Sequence, residues 1–126
     1  MLALQANPAG LVISPNLHDY EMRCLETSTE TNQVSLLLAG ERGDKIRFVI
    51  SDATAVSIVG WSQQNVVLDV YPFCSELDTG YYQRARELLV DEGTESIDET
   101  KWLLYFEPSA GAELAILCGA VEITRA

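Results

Sequence analysis

The only histidine of the chain is the first side chain to consider for catalysis, because an imidazole is the commonest general base in enzymes. It is His18, and Asp19 follows it directly. On an extended chain, neighbouring side chains point in opposite directions, so we do not expect these two to form the His-Asp pair of a catalytic triad. We expect His18 to lie at a turn or a strand edge and to make a structural hydrogen bond.

A cluster of acidic residues could instead hold a metal ion. The stretch DEGTESIDE, residues 91–99, contains five carboxylates and no basic residue. Read as a calcium-binding loop that starts at Asp91, it places Ser96 where glycine is required and Trp102 where a bidentate glutamate is required. No metal site is therefore predicted. Two interpretations stay open: a solvated loop, or a surface that meets a basic partner.

Other catalytic and cofactor-binding patterns are missing from the sequence. The glycines match neither the phosphate-binding loop nor the dinucleotide-binding pattern, and Ser109 in SAGA lacks the G-x-S-x-G order of a nucleophile elbow. Cys24, Cys74 and Cys118 form no C-x-x-C pair, so we expect reduced cysteines that serve as small core residues. We predict a non-enzymatic protein without catalytic residues, metal or cofactor.

The same observations bear on the compartment. Reduced cysteines are typical of the cytoplasm, and the N-terminus MLALQANPAG lacks the basic region of a secretory signal. No stretch of the sequence approaches the length of a transmembrane helix. We therefore expect a cytoplasmic protein that does not associate with membranes.

Negative charge is distributed unevenly along the chain. Nineteen Asp and Glu residues against eight Lys and Arg give a formal net charge of −11, which disfavours direct binding to nucleic acid. Residues 76–99 contain eight of these acids and only two bases. Tyrosine is a favoured interface anchor, and of the two tyrosines in this segment we expect one in the core and one exposed. The predicted partner-binding residues are Tyr81, Tyr82, Glu87, Asp91, Glu92, Glu95, Asp98 and Glu99.

The elements that must position these residues are mostly strands. Alternating apolar residues predict strands within residues 20–28, 33–39, 46–50, 53–61 and 66–71, separated by short polar or glycine-containing turns. The first three are expected to form an antiparallel meander, since the turns between them are too short for crossovers. Pro72 is expected to end the fifth.

The second half of the chain begins with a different period. Apolar residues recur at spacings of three and four at Leu77, Tyr81, Ala85, Leu88 and Leu89. This spacing predicts one amphipathic helix, with Asp78 or Thr79 as its N-cap and Gly93 after its C-terminus. Strand character returns at 101–107 and 112–125, where a change of parity at Gly119 indicates a β-bulge.

These elements predict the fold class. With about seven strands and one helix, we expect a single domain over residues 1–126 of the mainly β (α+β) class. Its antiparallel sheet would be curled into a sandwich or half-barrel, with one inserted amphipathic helix.

The order of several short motifs resembles a known class of proteins. LHDY at 17–20 and a meander of strands are followed by GWSQQNVVLDV at 60–70 and YFEPSAGAELAILCGAVEI at 105–123. This layout resembles small acidic bacterial immunity proteins, which are encoded beside polymorphic toxins or toxins of contact-dependent growth inhibition. The resemblance covers most of the chain.

The resemblance implies a function and a set of structural residues. It implies that the protein forms a complex with one cognate toxin domain, commonly a basic nuclease, and blocks its active site or substrate groove in the cytoplasm. Leu17, His18, Asp19 and Asn65 would then serve the fold. Contact residues vary in this class, so those proposed above rest on charge alone.

Two other hypotheses remain. One is a β-sandwich or barrel, without catalytic activity, that binds a small ligand or serves as an assembly subunit. It predicts a large apolar cavity or a symmetric interface remote from the acidic loop. The other is a hydrolase of unrecognised type, which has least support because the chain has one histidine and no catalytic motif. The sequence does not set the oligomeric state.

Overall fold

The computed structural model describes residues 5–6, 12–14, 16–73, 80–91, 93, 97 and 101–126. Near the N-terminus, β1 (Gln5–Ala6) and β2 (Val12–Ser14) pair as a small antiparallel hairpin. Most of the remaining described residues belong to one large sheet and one helix.

The large sheet is antiparallel and has eight strands. They are β3 (Glu21–Ser28), β4 (Gln33–Ala39), β5 (Lys45–Ser51), β6 (Ala55–Val59), β7 (Val66–Phe73), β8 (Trp102–Ala110), β9 (Glu113–Cys118) and β10 (Ala120–Arg125). Their order across the sheet is β10-β5-β4-β3-β7-β8-β9-β6, so the sheet is open at β10 and at β6. The predicted meander is confirmed as β3, β4 and β5.

The main core lies between the two halves of the sheet. Alternate residues of β4 and β5, such as Leu36 and Phe48, are buried together with even-numbered residues of β8 and β9, such as Phe106 and Ile116. The rings of Phe48 and Phe106 meet edge to face at 5.6 Å and so join the two halves. Each half buries one face against the other, and the predicted fold class, a curled antiparallel sheet with one helix, is confirmed.

The helix α1 (Gly80–Asp91) covers the opposite face of the second half of the sheet. It buries Tyr82, Ala85, Leu88 and Leu89 against a second apolar cluster that includes side chains of β7, β8 and β9. The predicted C-terminal glycine is confirmed, because Gly93 has φ +97° and its N–H donates to the Val90 carbonyl at 2.9 Å. The predicted N-caps, Asp78 and Thr79, lie outside the described residues.

Two boundaries differ from the predictions. Pro72 does not end β7 but lies within it, opposite Leu104 of β8. Proline fits there because β7 pairs with β3 only at its first residue, Val66, so amides on its other edge need no strand partner. The strand predicted over 112–125 is two strands, because the chain bends at Gly119 and changes partner from β8 and β6 to β5.

The cysteines differ in environment. Cys118 is buried, as expected, and burial raises the pKa of its thiol to about 12. The expectation is wrong for Cys24, which is exposed on β3. A register shift between Met22 and Cys24 reverses the alternation, so that Met22 points inward and Cys24 outward. Cys74 lies outside the described residues.

A buried amide holds the connection between β6 and β7. The side-chain oxygen of Asn65 accepts hydrogen bonds from the N–H groups of Ser62, at 2.9 Å, and Ala112, at 3.0 Å. Its side-chain nitrogen donates to the Ser62 carbonyl at 2.9 Å. Gly111 packs so close that a Cβ there would lie 2.4 Å from the Asn65 oxygen. Asn65 therefore ties the β6–β7 loop to the β8–β9 hairpin, the structural role that the resemblance implies.

Candidate functional site

Half of the predicted partner-binding residues lie in the described part of the chain. Tyr81, Tyr82, Glu87 and Asp91 are on α1, and Asp91 is its last residue. Glu87 and Asp91 are exposed, and Glu87 lies 3.5 Å from the Arg84 guanidinium. The other four, Glu92, Glu95, Asp98 and Glu99, lie outside the described residues and stay predictions.

The two tyrosines of α1 have opposite environments, as expected of one core and one exposed residue. The Tyr82 side chain is 3% exposed and packs edge-on against Phe73 at 5.5 Å. It belongs to the core beneath the helix, so it is not available for partner contact. Tyr81 is 39% exposed and stacks on Tyr71 of β7 at 4.2 Å. Of the pair, Tyr81 is the residue that a partner can reach.

Tyr81 is part of an aromatic group that the sequence analysis missed. Tyr71 on β7 and Tyr105 on β8 are register partners, and the Tyr81 ring lies 6.2 Å from that of Tyr105. Leu103 and Tyr105 of β8 pack on the helix side, away from the main core, as do Tyr71 and Phe73 of β7. The signal in the sequence was the alternation in VLDVYPF and LYFE, where tyrosines and carboxylates occupy the face opposite the aliphatic residues.

A charged network fixes one side of this aromatic group. The Arg84 guanidinium binds the Glu113 carboxylate in bidentate fashion, with N–O distances of 2.8 and 2.9 Å. The Tyr105 hydroxyl donates to the same carboxylate at 2.5 Å. The Arg84 hydrogen bond, helped by that of Tyr105, holds the pKa of Glu113 below its usual range, although partial burial opposes the shift. The negative charge of Glu113 is therefore already balanced by the Arg84 guanidinium.

On the other side, two carboxylates face each other without such a partner. Asp69 of β7 and Glu107 of β8 are directly opposite in the register. Partial burial raises the pKa of both carboxyl groups, and at Glu107 the Asp69 charge raises the pKa further while the Tyr81 hydroxyl lowers it. The positive charge that His18 can carry partly offsets the rise in the pKa of Asp69. Within the described residues, no Lys or Arg forms an ion pair with either carboxylate.

These residues form one surface, which we call the tyrosine-carboxylate surface. It consists of Asp69, Tyr81 and Glu107, with the buried Tyr71 ring beneath that of Tyr81. Adjacent carboxylates beside the face of an accessible tyrosine suit a cationic side chain, which can pair with the carboxylates and lie over the ring. Among the described residues, no group of three or more His, Cys, Asp or Glu is arranged to hold a metal ion.

His18 lies in a separate, polar cleft. The cleft is open, has a volume of about 510 Å³ and also contains Tyr20, Asp44 and Arg125. The ring nitrogen Nδ1 of His18 hydrogen-bonds to the carbonyl of Leu68 at 2.8 Å, which is the structural role expected for this residue. This bond, followed by the Asp19 carboxylate, raises the pKa of His18.

The prediction that Asp19 points away from His18 is wrong. Asp19 lies in a turn with φ +65°, which brings its carboxylate within 3.5 Å of His18 Nε2. The chain here is not extended, so the alternation rule does not apply. A His-Asp pair needs a nucleophile to act as a triad, and the residues that line this cleft include no Ser, Thr or Cys.

None of the helical segments that the structure describes is both long and apolar enough to cross a lipid bilayer. No protein-family model, curated protein or solved structure matches this chain.

Proposed function

We propose that this protein binds a basic protein partner through the tyrosine-carboxylate surface. In its specific form, the proposal is an immunity protein that neutralises a cognate bacterial toxin domain, a basic nuclease. The observation that carries the proposal is the pairing of Asp69 and Glu107 beside the accessible Tyr81, without a Lys or Arg counter-ion among the described residues. The motif layout described above supports the choice of a toxin as the partner.

The energetics of this surface favour a cationic partner. Partial burial is the largest cause of the raised pKa values of Asp69 and Glu107, and the Asp69 charge also repels that of Glu107, so the charged forms are disfavoured in the free protein. An Arg or Lys side chain from a partner would relieve that repulsion when it binds. Glu113, whose charge Arg84 already satisfies, would gain less from such a contact.

In the proposed complex, charge controls the association rate and aromatic packing controls the dissociation rate. The net charge of −11 attracts a basic domain over long distances and speeds association, and that attraction weakens with salt. Tyr81, held by its stack on Tyr71, is a pre-ordered aromatic anchor whose burial slows dissociation. A nucleic-acid-binding toxin offers a basic groove that this surface can occupy in place of its substrate.

The proposal describes a non-catalytic protein that acts in the cytoplasm. Its role there is to protect the producing cell by occupying the toxin before the toxin reaches nucleic acid. No nucleic acid needs to bind the protein directly, because the carboxylates resemble the phosphate backbone only in the sign of their charge.

Co-expression with the toxin encoded immediately upstream tests the proposal. Cells should survive toxin expression only when this protein is present, and the two proteins should co-purify as a complex. The nuclease activity of the toxin should fall in proportion to the amount of complex. If the cells are not protected and no complex forms with that neighbour, the toxin form of the proposal is wrong.

A matched pair of variants tests the surface itself. The variant D69N/E107Q/Y81A should weaken the complex by at least about tenfold, as expected when an interface anchor and its paired charges are removed. The control E26Q/E30Q removes the same number of charges at exposed positions of β3 and the β3–β4 turn, and should bind like the unaltered protein. Equal affinities of all three proteins would place the contact elsewhere.

A further inference from the structure

The strand β6 ends the sheet and has a strand partner on one edge only. It pairs with β9 from Ala55 opposite Leu117 to Val59 opposite Glu113, and it has no other strand neighbour in the described part of the chain. Its second edge therefore presents unpaired backbone donors and acceptors. An edge of this kind is a template for another strand.

The sequence of β6 lacks the residues that usually keep an edge strand from pairing with another strand. Natural edge strands carry charged residues or proline that discourage further pairing, whereas residues 53–68 contain no charged residue and no proline. The side chains of Ile58, Val59 and Trp61 are 36%, 45% and 45% exposed. By contrast β10, at the other end of the sheet, carries Glu122 and Arg125.

The space beside β6 is open. A cleft of about 300 Å³ lies between Ala53–Val56 and the β3–β4 hairpin, where Thr27 and Gln33 form part of its other wall. At this end the β3–β4 hairpin faces β6 across the cleft, and the Ala53 N–H, just before β6, donates to the Asn32 carbonyl at 2.7 Å. The exposed residues Ile58, Val59 and Trp61 lie beyond the residues that line this cleft.

We propose that β6 docks a second copy of this chain, with the two β6 strands pairing antiparallel about a twofold axis. A twofold interface brings the same patch of both copies together, and two identical strands can pair with each other in this way. Two molecules of net charge −11 repel each other, so copies can approach closely only where the surface is uncharged. The edge at β6 meets that condition, while it offers a basic partner no charge to recognise.

This interface is separate from the surface of the proposed function. Asp69 and Glu107 lie on β7 and β8, and β9 stands between β8 and β6 in the sheet. Pairing through β6 would leave the tyrosine-carboxylate surface of each copy open to its own partner. The two proposals can therefore fail independently.

Sedimentation of the purified full chain over a range of concentrations tests the dimer. A reducing agent is required because Cys24 is exposed and could cross-link copies by a disulfide. Self-association should become stronger as salt rises from about 0.1 M to about 1 M, because the screening length falls from about 10 Å to about 3 Å and the repulsion is shielded. Hydrogen exchange should show amides of Ala55–Val59 becoming more protected as concentration rises, with β10 unchanged.

A matched substitution locates the contact. V59K should abolish self-association, whereas V90K makes the same change at an exposed valine of α1 and should not. The unaltered protein remaining monomeric at all salt and protein concentrations would overturn the proposal. A dimer that V59K leaves intact, or one that weakens as salt rises, would overturn it as well, and the latter would indicate pairing between opposite charges. Capture of a basic protein by β6 that V59K removes, without a dimer, would also count against a second copy.

Discussion

Asn65 shows how one buried polar side chain can organise two loops. Replacing Asn65 by alanine would leave the N–H of Ala112, the N–H of Ser62 and the carbonyl of Ser62 without this partner. We expect N65A to lower the free energy of unfolding by about 2 to 4 kcal/mol, since each buried group left unsatisfied costs about 1 to 3 kcal/mol. Urea denaturation measures this directly.

The neighbouring Gln64 provides the control for Asn65. Its side chain is exposed, so Q64A should change the free energy of unfolding by less than about 0.5 kcal/mol. Similar losses for N65A and Q64A would mean that the loop is held by its backbone and not by the amide of Asn65.

The raised pKa of Glu107 makes the free energy of unfolding depend on pH. Its pKa is raised in the folded protein, chiefly by burial. For such an acid the cost of the charged form is fully present above the folded-state pKa, and it disappears as pH falls below the unfolded value of about 4. E107Q should therefore stabilise the protein at pH 7, by up to about 1 kcal/mol because water screens the site in part. The gain should vanish near pH 3.

The pKa of Glu113 is shifted in the opposite direction from that of Glu107, so its effect on stability has the opposite pH dependence. The Arg84 hydrogen bond lowers its pKa, so it contributes stability above its unfolded pKa, and that contribution is lost as pH falls through the lower folded value. R84M should destabilise most at pH 7 and least at low pH. Denaturation curves of both variants from pH 3 to pH 7 check the two pH dependences, and a destabilised E107Q at pH 7 would contradict the raised pKa of Glu107.

At the scale of elements, the bend between β9 and β10 depends on close packing of two chain segments. The Gly119 N–H donates to the Ser51 carbonyl at 3.0 Å, and a Cβ at Gly119 would lie 2.9 Å from the Asp52 Cβ. We expect G119A to destabilise the protein by about 1 to 3 kcal/mol, the usual range for overpacking. Thermal unfolding of the variant measures the loss.

A second substitution should restore much of that loss. D52G removes the side chain that the new methyl group would meet, and it suits the backbone, since Asp52 has φ +52°. It gives up an ion pair with Lys101 that is exposed on the Asp52 side and worth little. The double variant should thus lose less than the sum of the single losses, and strictly additive losses would show that the overlap is not the cause.

At the scale of the whole molecule, uneven charge should control the rate of partner capture. We expect neutralising Asp91, Glu92, Glu95, Asp98 and Glu99 together to slow association with a basic toxin more than it speeds dissociation. Raising salt should weaken capture by the unaltered protein through the same electrostatic effect. Stopped-flow or surface-based kinetics at several salt concentrations separate the two rates.

We expect the fold to survive those five substitutions, because Asp91 is exposed, the other four belong to a polar stretch of the sequence, and solvated charges contribute little to stability. An association rate that changes with neither the substitutions nor the salt would remove this segment from the mechanism. Dissociation should respond instead to Y81A, because Tyr81 acts by packing and not by charge.

Most strands, the helix and the buried faces of β4 and β5 follow from local patterns in the sequence. Alternation in QVSLLLA and KIRFVIS predicted β4 and β5 and their buried residues, and spacings of three and four predicted α1. These properties are local, since the period of each secondary structure decides which residues share a face. The net charge and its concentration in residues 76–99 were likewise available from the sequence.

Packing between distant segments fixes which faces meet and which side chains become neighbours. The order of strands, the bulge that turns Cys24 outward, and the burial of Tyr82 in place of Tyr81 depend on contacts between distant segments. The meeting of Asp69, Tyr81 and Glu107 depends on the register of β7 with β8 and on where α1 lies across them. Alternation along a strand predicts which face of the sheet each side chain occupies. It does not predict which residue lies opposite on the next strand, because that register depends on how the whole chain packs.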